Sequence, residues 1–378
     1  MAAAGAELVE RAAASGADAA TASVAGTASV AGTAGTRAMR HAVVILNWNG
    51  RAWLERFLGA VEATTPETVA LVVADNGSTD DSAAYVAAHH PRVHFLAMDQ
   101  NRGYAGGYNT ALRQLRAQWP ELDLAVLMNS DIEPLPLWWP PLEAAFAANP
   151  RLGAAQPVLR SHAEPDRFEY AGGAGGCMDF LAYPYAYGRV FDSCEVDSGQ
   201  YREPAIRPVF WASGACLVVR TAAFEAAGRL DESLFAHMEE IDLCWRMHRA
   251  GWDVACVNAS TVLHVGGGTL NALHPRKTFL NFRNNLFVAV RNLPPHIALP
   301  VVLARLVLDG LAGIRFLLQR KPEHTWAIVR AHFAFYGRLH RAVLAPDPFP
   351  RGWPSVGVYR GSLVWRALVR KKTTAPPL

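Results

Sequence analysis

Asn129-Ser130-Asp131 closes the apolar run Leu124-Ala125-Val126-Leu127-Met128 and is followed by Ile132-Glu133-Pro134. A buried parallel strand reads as a continuous apolar run, and in open α/β sheets ligands lie just beyond the carboxyl ends of the strands. A carboxylate held there by a proline-limited loop could bind a hard divalent cation already carried by a diphosphate. The alternative for an isolated Asn-Ser-Asp is an aspartate capping a turn. Further along, Glu239 and Glu240 open a segment in which Ile241, Cys244, Trp245 and His248 share one helical face, and Asp242 stands four residues before Arg246. Glu240 belongs to neither set. In the first helical turn the dipole favours its ionised form, a base able to take a proton from a hydroxyl, although an acidic helix start ordinarily does no more than stabilise the helix. His264 follows Val262-Leu263 and precedes Val265-Gly266-Gly267-Gly268, an imidazole at a strand end beside a glycine loop, or an ordinary core or surface histidine.

These residues need a scaffold, and residues 41–128 supply one. The texture predicts strands at 43–46, 69–74, 93–97 and 124–128, with helices at 52–63 and 106–119 between them. Such alternation is the signature of a parallel, nucleotide-binding βαβ sheet. Its strand ends carry polar groups where a nucleotide would lie: Asn47 and Asn49, then Asp75 and Asn76, then Asp131. Asp75 could accept hydrogen bonds from a base or ribose, while Ser78 and Asp80 could cap the next helix. The stretch Asn101-Arg102-Gly103-Tyr104-Ala105-Gly106-Gly107-Tyr108-Asn109 reads as a glycine-rich turn opening a helix, where free N–H groups favour anionic oxygens, or where glycines simply make the turn. It has neither the dinucleotide spacing nor Gly-x-x-x-x-Gly-Lys-Ser/Thr, which sets aside a dehydrogenase and a P-loop hydrolase.

Composition agrees with one large domain plus additions. The 378 residues are 51% hydrophobic and 18% charged, enough to bury a sizeable core, and a net charge of +3 gives no reason to expect nucleic acid as a partner. The five cysteines, Cys177, Cys194, Cys216, Cys244 and Cys256, form no Cys-x-x-Cys pair and suit a reducing compartment. Residues 1–39 are almost wholly Ala, Gly, Ser and Thr and read as a disordered tail without a signal peptide, with Met39 an alternative initiator. Deleting residues 1–38 is therefore expected to leave melting temperature and turnover unchanged; a marked loss of either would mean that the tail packs.

Taken in order, Val44-Ile45-Leu46-Asn47-Trp48-Asn49-Gly50, Asp75-Asn76-Gly77-Ser78-Thr79-Asp80, the 101–109 stretch, Leu127-Met128-Asn129-Ser130-Asp131, Ser213-Gly214-Ala215-Cys216 and Glu239-Glu240-Ile241-Asp242-Leu243 make the chain resemble the family 2 glycosyltransferases. These are inverting enzymes with the GT-A fold, and the resemblance, over about residues 42–292, is strongest to rhamnosyltransferase-like members that build bacterial cell-surface polysaccharides. It implies an α/β fold: a mostly parallel Rossmann-like sheet flanked by helices, with a C-terminal helical extension. It implies a catalytic domain at 40–292, with a nucleotide-binding half at about 40–135 and an acceptor half at about 136–292, and a helical region at 293–378. The implied reaction moves a sugar from a nucleotide diphosphate sugar to a glycan or lipid-linked acceptor, with Mg²⁺ or Mn²⁺ as cofactor. The family's Asp-x-Asp has Asn129 at its first position here, as is common in this branch, so Asp131 is the implied metal ligand and Asn129 a neutral companion. In several relatives a histidine after the later strand completes the metal site, which is His264 here. The second acid of the family's Glu-Asp pair is the base; that position is Glu240, a Glu for an Asp, with Glu239 the other candidate. The implied donor site takes in Asn47, Asn49, Asp75, Asn76, Asn101, Gly103, Gly107, Asn109, Asn129 and Ser130.

Acceptor candidates are Trp211, whose flat ring could pack on a sugar or sit in the core, with Ser213 and Gly214. A sugar nucleotidyltransferase would need a Gly-x-Gly-Thr-Arg opening after the first strand, and none is present. The non-enzyme alternative is a nucleotide-sugar-binding scaffold of an envelope-assembly complex. The run Phe279-Leu280-Asn281-Phe282-Arg283-Asn284-Asn285 resembles a segment of envelope-polymer enzymes and has no role readable from the sequence. Beyond it, residues 297–318 are apolar except for Arg305, Asp309 and Arg315. Charges near the centre of a membrane span cost about 2.5–3.5 kcal/mol each, which argues against spanning. Arg320, Lys321, Arg338, Arg341, Arg366, Arg370, Lys371 and Lys372, interleaved with Trp326, Trp353 and Trp365, suit an anionic membrane surface. The expectation is a cytoplasmic enzyme, peripheral on the inner face of the bacterial plasma membrane; the alternative is a helix packed on the catalytic domain.

Overall fold

Val43 and Ile45 pack into one hydrophobic cluster and Ala42 and Val44 into another, so the first strand is buried on both faces and carries helices on each. The computed structural model describes residues 39–266, 274–344 and 348–376; the tail expected over 1–39 lies almost wholly outside them. β1 (His41–Asn47), α1 (Arg51–Thr64), β2 (Val69–Asp75), α2 (Ser82–His89), β3 (Val93–Ala97), α3 (Gly103–Gln118) and β4 (Leu124–Asn129) alternate as expected. After them come β5 (Ile132–Pro134), α4 (Trp139–Ala148) and β6 (Leu152–Ser161), then the short strands β7 (Gly176–Asp179), β8 (Pro184–Ala186), β9 (Arg189–Val190) and β10 (Ser193–Cys194). β11 (Ile206–Pro208), β12 (Cys216–Arg220), α5 (Thr221–Ala226), α6 (Glu239–Arg249) and β13 (Asp253–His264) complete the sheet region.

The main sheet runs β11-β13-β6-β12-β4-β1-β2-β3, with β5 paired to β13. β1 is parallel to both β2 and β4, and β2 to β3, whereas β12 runs antiparallel between β4 and β6. The order therefore reverses at β1 and β4, the switch point at which open α/β sheets leave a crevice beyond their carboxyl ends. Asn47 and Asn129 end the two strands that flank it. Helix α3 starts at Gly103, three residues before the expected position, so Gly106 and Gly107 lie inside it rather than in its turn. A β-carbon on Gly107 would stand 2.7 Å from Leu46 Cδ1, so the missing side chain lets α3 sit down on β1.

The C-terminal region packs on this sheet. α7 (Pro275–Asn292), α8 (Pro295–Leu318) and α9 (Pro322–Leu344) are helices, and the chain then returns: Gly352 O accepts a 2.8 Å hydrogen bond from Trp245 Nε1, Trp353 stacks on Trp245 at 4.8 Å, and β14 (Val358–Tyr359) joins β7 in a second, five-stranded sheet. Leu363 N, at the start of α10 (Leu363–Leu368), donates to buried Asp179 Oδ2 at 2.9 Å. Trp353, expected among the membrane-facing tryptophans, is thus a core contact. α8 is inverted: its inner stripe holds Ala298, Val301, Arg305, Asp309 and Gly313, while Leu299, Leu303, Val307, Leu311, Ile314 and Leu318 stand 54 to 81% exposed. Two of the three charges that interrupt its apolar run are therefore buried. Arg305 pairs with Asp309 at 3.2 Å, and Asp309 also takes contacts from Tyr183 (3.1 Å) and His332 (3.1 Å).

Candidate functional site

The strand ends expected to hold a nucleotide form two hydrogen-bonded knots. In the first, Asn47 and Asp75 are opposite one another in the β1–β2 register, and Asn47 Nδ2 donates to Asp75 Oδ1 at 2.8 Å. Ser78 closes that knot: its N–H donates to Asp75 Oδ2 (2.9 Å), its hydroxyl to Asp75 Oδ1 (2.5 Å), and its oxygen accepts from Asn49 N (2.8 Å). Asn49, in the left-handed region at φ 49, accepts from Thr79 N at 2.8 Å. Ser78 thus braces the knot instead of capping α2, whose first residue, Ser82, bonds Asp80. In the second knot Asn76 Nδ2 donates to Asn101 Oδ1 (3.1 Å) and Gly103 O (3.0 Å), and Asn76 Oδ1 accepts from Arg102 N (2.9 Å). Asn109 faces away from both knots: buried in α3, it clamps Leu230 O at 2.9 Å and Glu232 Oε1 at 3.0 Å.

Asp131 and His264 come together across the β4–β5 turn and the end of β13. His264 Nε2 lies 3.3 Å from Asp131 Oδ1, and His264 Nδ1 lies 3.1 Å from Glu169 Oε2, all three side chains being buried. Burial would lower the imidazole, but the two carboxylates beside it hold it up at about 10. Burial would raise Asp131, and the same imidazole holds it below its ordinary value. A nitrogen and an oxygen at this separation match adjacent corners of an octahedral cation, whose ligands at about 2.1 Å from the metal lie about 3 Å apart. Among the described residues no group of three or more His, Cys, Asp or Glu could hold a metal alone. Such a pair suits a cation that displaces the Nε2 proton of His264, arrives with a diphosphate and fills its shell from phosphate and water. Glu169, at the other ring nitrogen, is where an orienting carboxylate stands in a carboxylate–histidine–metal arrangement. Nothing in the sequence points to it, because a lone acid 95 positions before its partner belongs to no motif.

Glu239 and Glu240 begin α6 after a tight approach in which Phe235, His237 and Met238 all have positive φ. Glu239 is buried with Oε2 unpartnered, and burial followed by the charge of Glu240 drives its carboxyl far up. Glu240 is partly accessible, and desolvation pushes it up to about 7. Asp242 is bound by Arg246 at 2.8 Å, as its spacing predicts. A β-carbon on Gly214 would lie 3.6 Å from Glu240 Cβ; Tyr104 hydroxyl donates to Gly214 O at 2.6 Å, and Asn129 N donates to Ala215 O at 2.9 Å. Gly214-Ala215 therefore bridges the Asn129-Ser130-Asp131 turn to the glutamate pair, and both sets of chemistry share one end of the sheet. Asn129 and Ser130 are half-buried on that turn.

Trp211 is corrected as an acceptor platform. Its indole is buried, Nε1 donates to Cys177 O at 2.9 Å, and the ring fills the place where a β-carbon on Gly176 would be. Ser213 is buried as well, its N–H given to Gln156 Oε1 at 2.8 Å. A groove of about 690 Å³ lined by Tyr187, Arg207, Tyr359 and Arg360 contains none of the residues above.

Comparison with known proteins follows the same outline. The family model for glycosyl transferase family 2 matches residues 42–200. An N-acetylglucosaminyl-diphospho-decaprenol L-rhamnosyltransferase of Mycobacterium tuberculosis is 32% identical over 243 residues, 59% of this chain and 75% of that protein. A low-salt glycan biosynthesis hexosyltransferase of Haloferax volcanii is 21% identical over 304 residues, 79% of this chain and 90% of that one. Among solved structures, S. aureus TarS 1–349 in complex with UDP-GlcNAc superposes with a TM-score of 0.50 at 15% identity, covering 81% of this chain and 82% of that one.

Proposed function

Because the chain belongs to glycosyl transferase family 2, we propose that it is an inverting hexosyltransferase, with rhamnose the first sugar to test, acting on a lipid-linked diphosphate glycan acceptor of the cell envelope. The fold is of the GT-A type, and the enzyme is a glycosyltransferase, which removes the scaffold and nucleotidyltransferase alternatives. The single observation that carries the mechanism is the Gly214-Ala215 bridge, which puts a raised-pKa glutamate and the Asp131–His264 pair at one end of the sheet.

Glu240 takes the proton of the acceptor hydroxyl as that oxygen attacks the anomeric carbon from the face opposite the departing nucleoside diphosphate, which inverts the configuration. Glu239, kept protonated by burial and by its neighbour's charge, leaves Glu240 as the member of the pair that ionises. Asp131 and His264 would hold Mg²⁺ or Mn²⁺ on the diphosphate, and Glu169 would fix the imidazole. A bound cation neutralises the charge that develops on the leaving group. The Asn47–Asp75–Ser78 knot and Asn49 support the nucleoside side of the crevice. Purified protein offered a panel of nucleotide sugars with a prenyl-diphosphate-linked acceptor should release one nucleoside diphosphate per sugar transferred and form the inverted linkage. Retention of configuration would overturn the single displacement.

The lipid-linked acceptor brings the membrane into the proposal. α8 is 24 residues long and apolar enough to cross a bilayer, yet its inner stripe pairs Arg305 with Asp309 against protein and its leucines face outward. Trp326, Phe333 and Trp365 are exposed as well, as are Arg315, Arg320, Arg338, Arg370, Lys371 and Lys372. Exposed apolar and cationic side chains of this kind suit an anionic leaflet surface rather than a span through it. The full chain should float with phosphatidylglycerol vesicles at low salt, and Leu303→Glu with Leu311→Glu should abolish flotation while turnover on a soluble acceptor analogue persists. If the intact protein ignores anionic vesicles, the face covers a second copy instead.

A further inference from the structure

The approach to α6 is a backbone in conflict with its own side chains. Phe235, His237 and Met238 have φ values of 66, 67 and 76, a region that a β-carbon disfavours and that glycine would normally fill. Such a conformation persists only where its surroundings over-determine it. Here the surroundings are two adjacent residues of α7. Asn284, fully buried, points Nδ2 at three carbonyl oxygens of this approach: Leu234 O (3.0 Å), Ala236 O (2.8 Å) and His237 O (2.8 Å). Arg283, also buried, donates from Nη2 to Leu234 O at 3.0 Å and from Nε to Asn284 Oδ1 at 2.8 Å. The second of these bonds settles the amide orientation, since Oδ1 facing a guanidinium leaves the NH₂ group for the carbonyls.

The same helix fixes the loop on both sides of the strained turn. Arg291 Nη1 binds Asp231 Oδ2 at 2.5 Å before it, and Asn292 Nδ2 donates to Asp242 Oδ1 at 3.0 Å after it. Between these anchors lie Glu239 and Glu240.

We infer that Asn284, locked by Arg283, is a positioning residue that sets the reach of Glu240 toward the acceptor hydroxyl by gathering the carbonyls of the 234–237 turn. The inference rests on Glu240 as the base and goes beyond it, because it gives a task to the Arg283-Asn284 pair that no resemblance supplies. An NH₂ group meeting three acceptors has only two hydrogens, so it pulls them toward one point and closes the turn. Replacing it with an oxygen of the same shape reverses every one of those contacts.

Asn284→Asp is the test, read against Glu240→Gln. Expected is a kcat loss of about 10²-fold, the scale of a misplacement near 1 Å, with the donor KM within about threefold and the acid limb of the kcat/KM profile displaced from its wild-type position as the surroundings of the glutamates change. Nucleotide binding with Mn²⁺ by calorimetry should match wild type, since that half of the site is untouched. A folded Asn284→Asp with wild-type kcat and an unmoved limb overturns the inference, as does a donor KM that rises in step with the loss of kcat. If Asn284→Asp does not fold, Arg283→Lys decides by the same measurements, because it keeps a cation near Leu234 O but loses the bond that orients the amide. Should Glu240→Gln itself retain turnover, the base assignment falls; if Glu240→Gln is inactive and both α7 variants are normal, only the role of Asn284 falls.

Discussion

Glu240→Gln should lose nearly all transfer, about 10²–10⁴-fold in kcat, while donor affinity stays within a few-fold. Glutamine keeps the shape of the side chain and removes its ability to accept a proton, and the nucleotide is held elsewhere. Wild-type-like turnover would move the base to Glu239. The raised carboxyl also fixes the pH response. A base ionising at about 7 instead of the ordinary 4.5 should give an acid limb near neutrality, with activity rising through it. For stability the sign is opposite: between 4.5 and about 7 the folded state binds more protons than the unfolded state, so this group makes the protein less stable as pH rises through that window. Glu240→Gln, which cannot ionise, should therefore gain melting temperature relative to wild type at pH 8 and not at pH 4.

Chelation should abolish activity, and Mg²⁺ or Mn²⁺ should restore it. The cation's share of leaving-group stabilisation is several kcal/mol, on the order of 10³-fold in rate. Asp131→Asn should resist rescue by added metal and weaken Mn²⁺-dependent nucleotide binding, which calorimetry reads without turnover. Glu169→Gln should keep the pair but loosen the imidazole, costing about 10–100-fold in metal affinity. Full activity in excess chelator would remove the metal from the mechanism, and His264 would then face the diphosphate as a cation in its own right.

Much of the scaffold was legible because it depends on patterns that survive in one dimension. The βαβ half follows from four apolar runs, and α6 from the spacing of Ile241, Cys244, Trp245 and the Asp242–Arg246 pair. What escaped depends on contacts between distant segments. Glu169 acquires a partner only when β6 and β13 lie side by side. Trp211 was ambiguous because an aromatic residue looks the same beside a sugar as beside Gly176. The polarity of α8 was legible in kind and not in direction, since no count of leucines says which face meets protein; Tyr183, His332 and Asn285 decide that from elsewhere in the chain. β14 is two residues long, too short for any periodicity.

The return of the chain to β7 bears on how the protein is made. Trp245 receives its stacking partner, Trp353, and its carbonyl acceptor, Gly352, only after a further hundred residues have left the ribosome, and Asp179 waits longer still for Leu363 N. At roughly 5–20 residues per second that interval lasts several seconds. During it the nascent chain presents an uncovered indole, an unclosed sheet edge along β7 and the outward leucines of α8. Completion of the catalytic body thus waits on synthesis of residues 352–363. Holdase chaperones, or the lipid surface itself, have a defined interval in which to engage the chain before β14 is laid down.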